Sequence, residues 1–248
     1  GDHVVLLFDK TPFYAESGGQ VGDLGSIEGK NASLEVNDCL KVSGKFAHIC
    51  KVLKGSVKVG DTFTLSVKED SRVALTRHHT ATHLLHAALR EKLGTQVVQK
   101  GSLVKPDRLR FDFSYPKGLT QSEIDDVESR VNEMILKNIK KDTQETSYDK
   151  ALELGALALF GEKYGDKVRV VKFGEESTEL CGGTHVSATG DIGTFVIQSE
   201  SSVAKGIRRI EALTGLEAIH YIQKRKHILD AVSESLSASD DQILENLQ

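Results

Sequence analysis

The chain has 248 residues, 39% hydrophobic and 27% charged, enough to bury a core without covalent help. Its three cysteines are sparse and odd in number, which excludes a disulfide scaffold and points to a reducing, cytoplasmic setting. A net charge of −4 excludes a globally basic nucleic-acid binder, and no apolar run reaches the roughly 20 residues of a membrane span.

Taken in chain order, residues 1–70 read as β structure. The runs 4–8, 33–36, 46–49 and 62–67 are short and strand-like, with Gly and Asn at the turns, and predict a small β-barrel. Gly1-Asp2-His3 carries neither a start Met nor a signal pattern, so the sequence reads as a piece of something longer. From Arg72 the periodicity is helical to Leu93, with Gly94 as the expected C-cap. Strands over 101–104 and 109–113 follow, joined by a turn at Lys105-Pro106-Asp107. Thr120-Gln121-Ser122-Glu123 has capping-box spacing and opens a helix expected to reach Lys140. A short helix over 149–154 and strands over 168–173, 194–199 and 207–212 come next. From Leu216 apolar residues recur at helical spacing, and the pattern is still running at Leu247-Gln248. The order predicts an α+β fold: a β-barrel module over 1–70, a mixed sheet backed by helices over 71–213, and a helical segment over 214–248.

Two ligand pairs stand out. His79-Thr80-Ala81-Thr82-His83 lies within the predicted helix, where positions i and i+4 share a face. Cys181-Gly182-Gly183-Thr184-His185 lies far downstream, where glycines suit a tight loop. Three imidazoles and one thiolate are a complete tetrahedral donor set for zinc. Ala81, Leu85, Ala88 and Leu89 form an apolar stripe roughly opposite the two histidines, so the helix can pack on one side and present imidazoles on the other. His86 shares the histidine face and His78 sits close by, so both are rival ligands. His79 and His83 are favoured because the later pair repeats the ligand-x-x-x-ligand form. Cys39 and Cys50 lack ligand neighbours and read as small apolar strand residues. Four protein ligands make a closed site, whereas a catalytic zinc keeps an open position. A zinc that positions substrate, and one at which water replaces a loose ligand, are both compatible with the sequence.

In this order, the motifs resemble the editing region of the alanyl-tRNA synthetase family, shared with free-standing editing proteins. The resemblance runs through Ser17-Gly18-Gly19-Gln20-Val21-Gly22-Asp23, Arg77-His78-His79-Thr80-Ala81-Thr82-His83-Leu84-Leu85 and Gln99-Lys100-Gly101-Ser102. It continues through residues 158–164, Glu179-Leu180-Cys181-Gly182-Gly183-Thr184-His185 and Gly206-Ile207-Arg208-Arg209-Ile210-Glu211. The threonyl enzyme's editing domain has a similar metal pattern, but Thr184 stands where that motif has Pro.

The resemblance implies hydrolysis of mischarged tRNA(Ala), chiefly seryl- and glycyl-tRNA(Ala), with Zn2+ held by His79, His83, Cys181 and His185. It implies a β-barrel, an α/β editing core, and then a helical dimerisation and tRNA-binding region whose beginning the segment after Leu216 resembles. The implied partners are the acceptor end of tRNA(Ala), the rest of the synthetase chain, and a second copy through that helical region. The glycine-rich loop with Gln20 is expected near substrate, and Gln96 matches a position associated with editing. No aminoacylation motif is present, so ATP-dependent charging belongs to other parts of such an enzyme. The alternatives are a free-standing trans-editing deacylase and a zinc-stapled tRNA-binding module without catalysis.

Editing must accept serine and spare alanine, and a hydrogen bond to the serine hydroxyl achieves that. Gln20, Thr80, Thr82 and Gln96 are the polar candidates, of which Gln20, Thr80 and Gln96 form the expected catalytic set. Glycine, having no hydroxyl, is not covered by this argument. The backbone N–H groups of Gly182, Gly183 and Thr184 are candidates for an anion-binding nest. Lys205, Arg208 and Arg209 form a local basic patch for phosphate, with ion pairing to Glu211 or other acids as the structural alternative.

Overall fold

The computed structural model describes residues 2–158, 165–239 and 242–243. Its N-terminal part is a five-stranded antiparallel sheet of β1 (His3–Leu6), β2 (Gly25–Gly29), β3 (Ala32–Val42), β4 (Lys45–Gly55) and β5 (Phe63–Val67), in the order β1-β4-β3-β2-β5. Bulges in the long β3–β4 hairpin, at Ser33/Leu34 and Val36/Asp38, bend and twist it. The predicted barrel is thus an open ladder whose outer strands, β1 and β5, do not pair with each other among the described residues. Phe13, Ile27, Leu34, Val36, Cys39 and Cys50 give this sheet its own core.

The rest is built around α1 (Glu69–Leu93). Glu69 and Asp70 in its first turn and Arg90 and Lys92 in its last complement the helix dipole, and Gly94 at φ 111° ends it. Every residue from His78 to His86 is buried, so the polar side chains of this stretch must find partners inside the protein. On one side, Leu84, Leu85, Ala88 and Leu89 join the main core with α2 (Gln121–Leu136) and a four-stranded sheet. That sheet comprises β6 (Gln99–Val104), β7 (Leu109–Ser114), β11 (Phe195–Ala204) and β12 (Ile207–Thr214), in the order β11-β12-β7-β6. Phe111, Phe113, Ile210 and Ala212 of its central strands lie in the core. A third sheet, β10-β9-β8, comprises β8 (Lys141–Ser147), β9 (Lys167–Phe173) and β10 (Ser177–Leu180), with α3 (Tyr148–Glu153) between its first two strands. Its β10 packs on α1 and delivers the second ligand loop.

All three sheets are antiparallel rather than mixed. Hairpins join most neighbouring strands, and α2 leads from one sheet to another instead of making a parallel crossover. The predicted capping box opens α2: Thr120 Oγ1 accepts from the Glu123 N–H at 3.2 Å, and the Glu123 carboxylate accepts from the Thr120 N–H at 2.7 Å. The helix stops at Leu136, short of Lys140, because Asn138 turns left-handed (φ 49°) and β8 begins at Lys141. Helix α4 (Gly215–Leu236) starts as expected but closes where Ser237 turns left-handed at φ 49°. Among the described residues no helix is long and apolar enough to cross a membrane.

Candidate metal centre

His79 and His83, one turn apart on α1, meet Cys181 and His185 from the loop after β10. Their four donor atoms lie within 4.8 Å of one another. Cys181 Sγ is 3.3 Å from His79 Nε2 and 3.2 Å from His185 Nε2. The rivals stay out. His78 ties α1 to β12, its Nδ1–H donating to Ala74 O and its Nε2 accepting from the Thr214 N–H, each at 3.1 Å. His86 turns its Nδ1 to Glu179 Oε1 at 3.0 Å.

The His79 tautomer follows from its outer partner. Gln20 Oε1 accepts from the Thr184 backbone N–H at 3.0 Å, which fixes which end of the amide is oxygen. His79 Nδ1, 2.7 Å from the same oxygen, must therefore carry the proton, leaving Nε2 bare and facing Cys181. His185 has Thr80 in the corresponding place, although a hydroxyl can donate as well as accept and so does not by itself set the His185 tautomer. The Thr80 hydroxyl oxygen already accepts from the Val186 N–H at 3.2 Å and lies 3.1 Å from His185 Nδ1. His83 Nδ1 faces Glu179 Oε2 at 3.6 Å. His79 and His185 thus have hydrogen-bonding outer partners at Nδ1, an arrangement that orients histidine ligands, whereas the buried His83 Nδ1 has no hydrogen-bond partner and faces the Glu179 carboxylate from just beyond bonding distance.

The loop is shaped to fit. A Cβ on Gly183 would lie 2.0 Å from His79 Cε1, so only glycine lets the ring approach this closely. The Gly183 N–H donates to Cys181 Sγ at 3.4 Å and the Thr184 N–H to Gln20. Two of the three amides proposed for an anion nest are therefore engaged in building the cluster. Burial, followed by the neighbouring imidazoles and Arg169, holds His79 and His185 well below the ordinary histidine range. Burial also lowers His83, although Glu179 opposes the shift. Neutral imidazoles are the form a transition metal takes, and a cysteine beside them can give up its proton to the metal, so donor chemistry and orientation fit zinc.

The glycine-rich segment supplies the cluster's third wall. Gly19, at φ 81°, lies flat against Ser102, where a Cβ would come 2.6 Å from the Ser102 carbonyl oxygen. This packing accounts for small residues in both segments. Asp23 pairs with Arg72 and accepts from the Tyr14 N–H at 2.6 Å, tying the segment to the start of α1. A cleft of about 320 Å³ reaches the cluster at His79 and Cys181, past Ser17 and Gly18. Lys41, Lys167 and Arg169 also line it. Arg169 donates to Gly183 O at 2.7 Å, whereas Lys41 and Lys167 are exposed and make no ion pair among the described residues. Sequence reasoning missed both lysines, which lie in unremarkable polar contexts and meet only in the fold.

The other expected site residues are placed differently. Thr80 is buried as the partner of His185, and Thr82 donates to His78 O at 2.8 Å. Gln96 is not brought to the cluster: it is exposed beyond the end of α1, and its Nε2 donates to Leu93 O at 2.6 Å. Arg208 is paired with Glu200 at 2.5 and 2.7 Å, and Arg209 with Asp112 at 2.7 and 2.9 Å. Their guanidinium groups therefore tie neighbouring strands together. Lys205 is exposed in the turn between β11 and β12. Of the predicted motif over 158–164, residues 159–164 lie outside the described residues.

Residues 168–211, which carry the Cys181 loop, match the family model "Threonyl and Alanyl tRNA synthetase second additional domain". Residues 1–71 match the model "tRNA synthetases class II (A)". Fold, ligand cluster and both matches define the class: a segment of a class II aminoacyl-tRNA synthetase carrying the second additional domain. Along its full length the chain is 51% identical to an alanine–tRNA ligase of Thermoanaerobacter sp. (strain X514) and 48% identical to that of Xanthomonas campestris pv. campestris (strain 8004). An alanine–tRNA ligase of Acetivibrio thermocellus is 49% identical. The chain spans 28% of the length of each of these relatives. It belongs to the alanyl-tRNA synthetase family, as a region of that length.

Proposed function

We propose that this region is the editing unit of an alanyl-tRNA synthetase, an ester hydrolase that deacylates seryl- and glycyl-tRNA(Ala). The observation that carries the reading is the closed set of three neutral imidazoles and one cysteine at the end of a cleft with a basic lining. A zinc ion held by His79, His83, Cys181 and His185 would position the aminoacyl group, and would polarise the ester carbonyl only where one ligand gives up its place to open a coordination position. Gln20 and Thr80 act through the ligands they orient. Gln20 also has a further capacity: its Nε2 is buried with no hydrogen-bond partner. A serine hydroxyl can accept from that amide, whereas alanine would leave it unpaired.

Lys41 and Lys167 at the cleft are the preferred contacts for acceptor-end phosphates, with Lys205 further out. Arg208 and Arg209 can contribute only by sharing guanidinium groups that already hold acids. The division into 1–70, 71–213 and 214–248 is supported by the separate core of the N-terminal sheet and by the exposure of most of α4. Ile219, Ile222, Ile228 and Leu229 are exposed on α4 and suit a helical dimer contact. The test is serine release from seryl-tRNA(Ala) by this chain, with alanyl-tRNA(Ala) and Cys181→Ala alongside. Rapid loss of serine alone, abolished by the variant, supports the reading. Zinc-loaded, tRNA-binding protein that releases nothing would leave a non-catalytic module.

A further inference from the structure

We infer that Glu179 is a positioning residue of the metal cluster: it orients His83 through one carboxylate oxygen, is held by His86 through the other, and supplies the second negative charge that a bound dication needs. Glu179 is 3% exposed, and the two histidines it faces are 3% and 5% exposed. Its Oε1 is hydrogen-bonded to His86 Nδ1 at 3.0 Å, and its Oε2 faces His83 Nδ1 at 3.6 Å, a buried nitrogen that has no hydrogen-bond partner and needs only a small shift to reach this oxygen. A carboxylate this enclosed requires compensation. The nearby cations turn their donors elsewhere: Arg90 to Thr95 O and Val97 O, Arg169 to Gly183 O and Cys181 O, and Lys141 to His185 O. Among the described residues, no Lys or Arg forms an ion pair with Glu179.

The charge count completes the argument. A dication on three neutral imidazoles and one thiolate keeps one positive charge, and on the His83 side, away from the cleft, it is buried where screening is weak. The carboxylate behind one imidazole cancels that charge. The other two imidazoles have neutral outer partners, Gln20 and Thr80, so the anion enters through His83 alone. This also gives His86 a task. It lies on the ligand face of α1 yet serves as the clamp on the carboxylate.

The inference rests on the reading of the cluster as a zinc site, but not on deacylation. The test is zinc affinity by chelator competition on the purified chain, with the visible spectrum of the cobalt-loaded form recorded beside it. Glu179→Gln keeps shape and acceptor but removes the charge, and is expected to weaken zinc binding about 10–100-fold and alter the cobalt bands. Glu179→Asp restores the charge and should recover most of the affinity. His86→Leu, which removes the donor to the carboxylate's second oxygen, should give a smaller loss. Zinc binding by Glu179→Gln within twofold of the parent, or an Asp variant as weak as the Gln variant, would overturn the inference. So would a parent chain that binds no zinc. A parent that binds zinc tightly but releases no serine would refute the editing reading and leave this one intact.

Discussion

The middle of α1 with the loop after β10, and the basic start of β12, both carry residues chosen from the sequence for chemistry, and the fold treats them in opposite ways. In the first, the side chains converge on one point with their donor atoms facing one another. In the second, Arg208 and Arg209 are already bound to Glu200 and Asp112. Ligand spacing carries geometric information, because i,i+4 positions on a helix must share a face. A pair of arginines carries only charge, and the acids that claim it come from other strands.

The largest expected contrast follows. Cys181→Ala should remove the metal and lower serine release by roughly 10²–10³-fold, the scale for losing one preorganised group. Arg208→Gln should leave zinc content unchanged and act on stability, since it exposes Glu200 to an unpaired, largely buried state. If Arg208→Gln depletes zinc, the two regions are coupled and the contrast fails.

Acid should separate the regions as well. Burial holds His79, His83 and His185 below the ordinary value of 6.5, and His78 down to about 4. Below pH 6.5 the unfolded chain binds protons at these positions that the folded chain refuses, so stability is full above that pH and falls as pH drops. Each such histidine contributes a slope approaching about 1.4 kcal/mol per pH unit. Thermal unfolding of the metal-free chain at pH 7.5, 6 and 5 reads this directly. A midpoint that rises on acidification would contradict the neutral cluster.

Within the loop, Gly183 and Gly182 make a sharper pair. Ala at 183 must push His79 aside and is expected to cost about 1–3 kcal/mol and loosen zinc. A Cβ at 182 meets nothing within 4 Å, and Ala there should be near neutral. Equal midpoints for the two variants would mean that the loop yields rather than the imidazole.

These contrasts also show what was legible in the residues. The α1 register, the capping box at Thr120 and the ligand quartet follow from local periodicity and donor type. Strand β8 did not, because Lys141–Ser147 is polar throughout and lies exposed, with no alternation to read. Strand β2 has a single buried apolar side chain, Ile27, between terminal glycines. The partnerships of Gln20 with His79 and of Glu179 with His83 and His86 are long-range, and nothing in the spacing foretells them. Of the two glutamines singled out, Gln20 reached the cluster and Gln96 did not. Gln20→Ala should therefore weaken zinc about 10–100-fold, while Gln96→Ala stays within about 0.5 kcal/mol of the parent in stability and keeps its zinc.

The smallest expected effect concerns RNA, where the comparison between free and paired cations becomes quantitative. Each lysine that meets a phosphate of a single-stranded end releases about 0.7 of a counterion, so removing two contacts should flatten the log–log salt dependence of binding by about 1.4. Lys41→Gln with Lys167→Gln should show this for tRNA(Ala), with zinc affinity unchanged, since neither side chain bonds to a ligand. Arg209→Gln should barely alter the slope, because its charge is already matched by Asp112 on the same sheet face. A flat response to the lysine pair together with a steep one to Arg209 would place the RNA on the outer face of the four-stranded sheet. The cleft would then admit only the aminoacyl end.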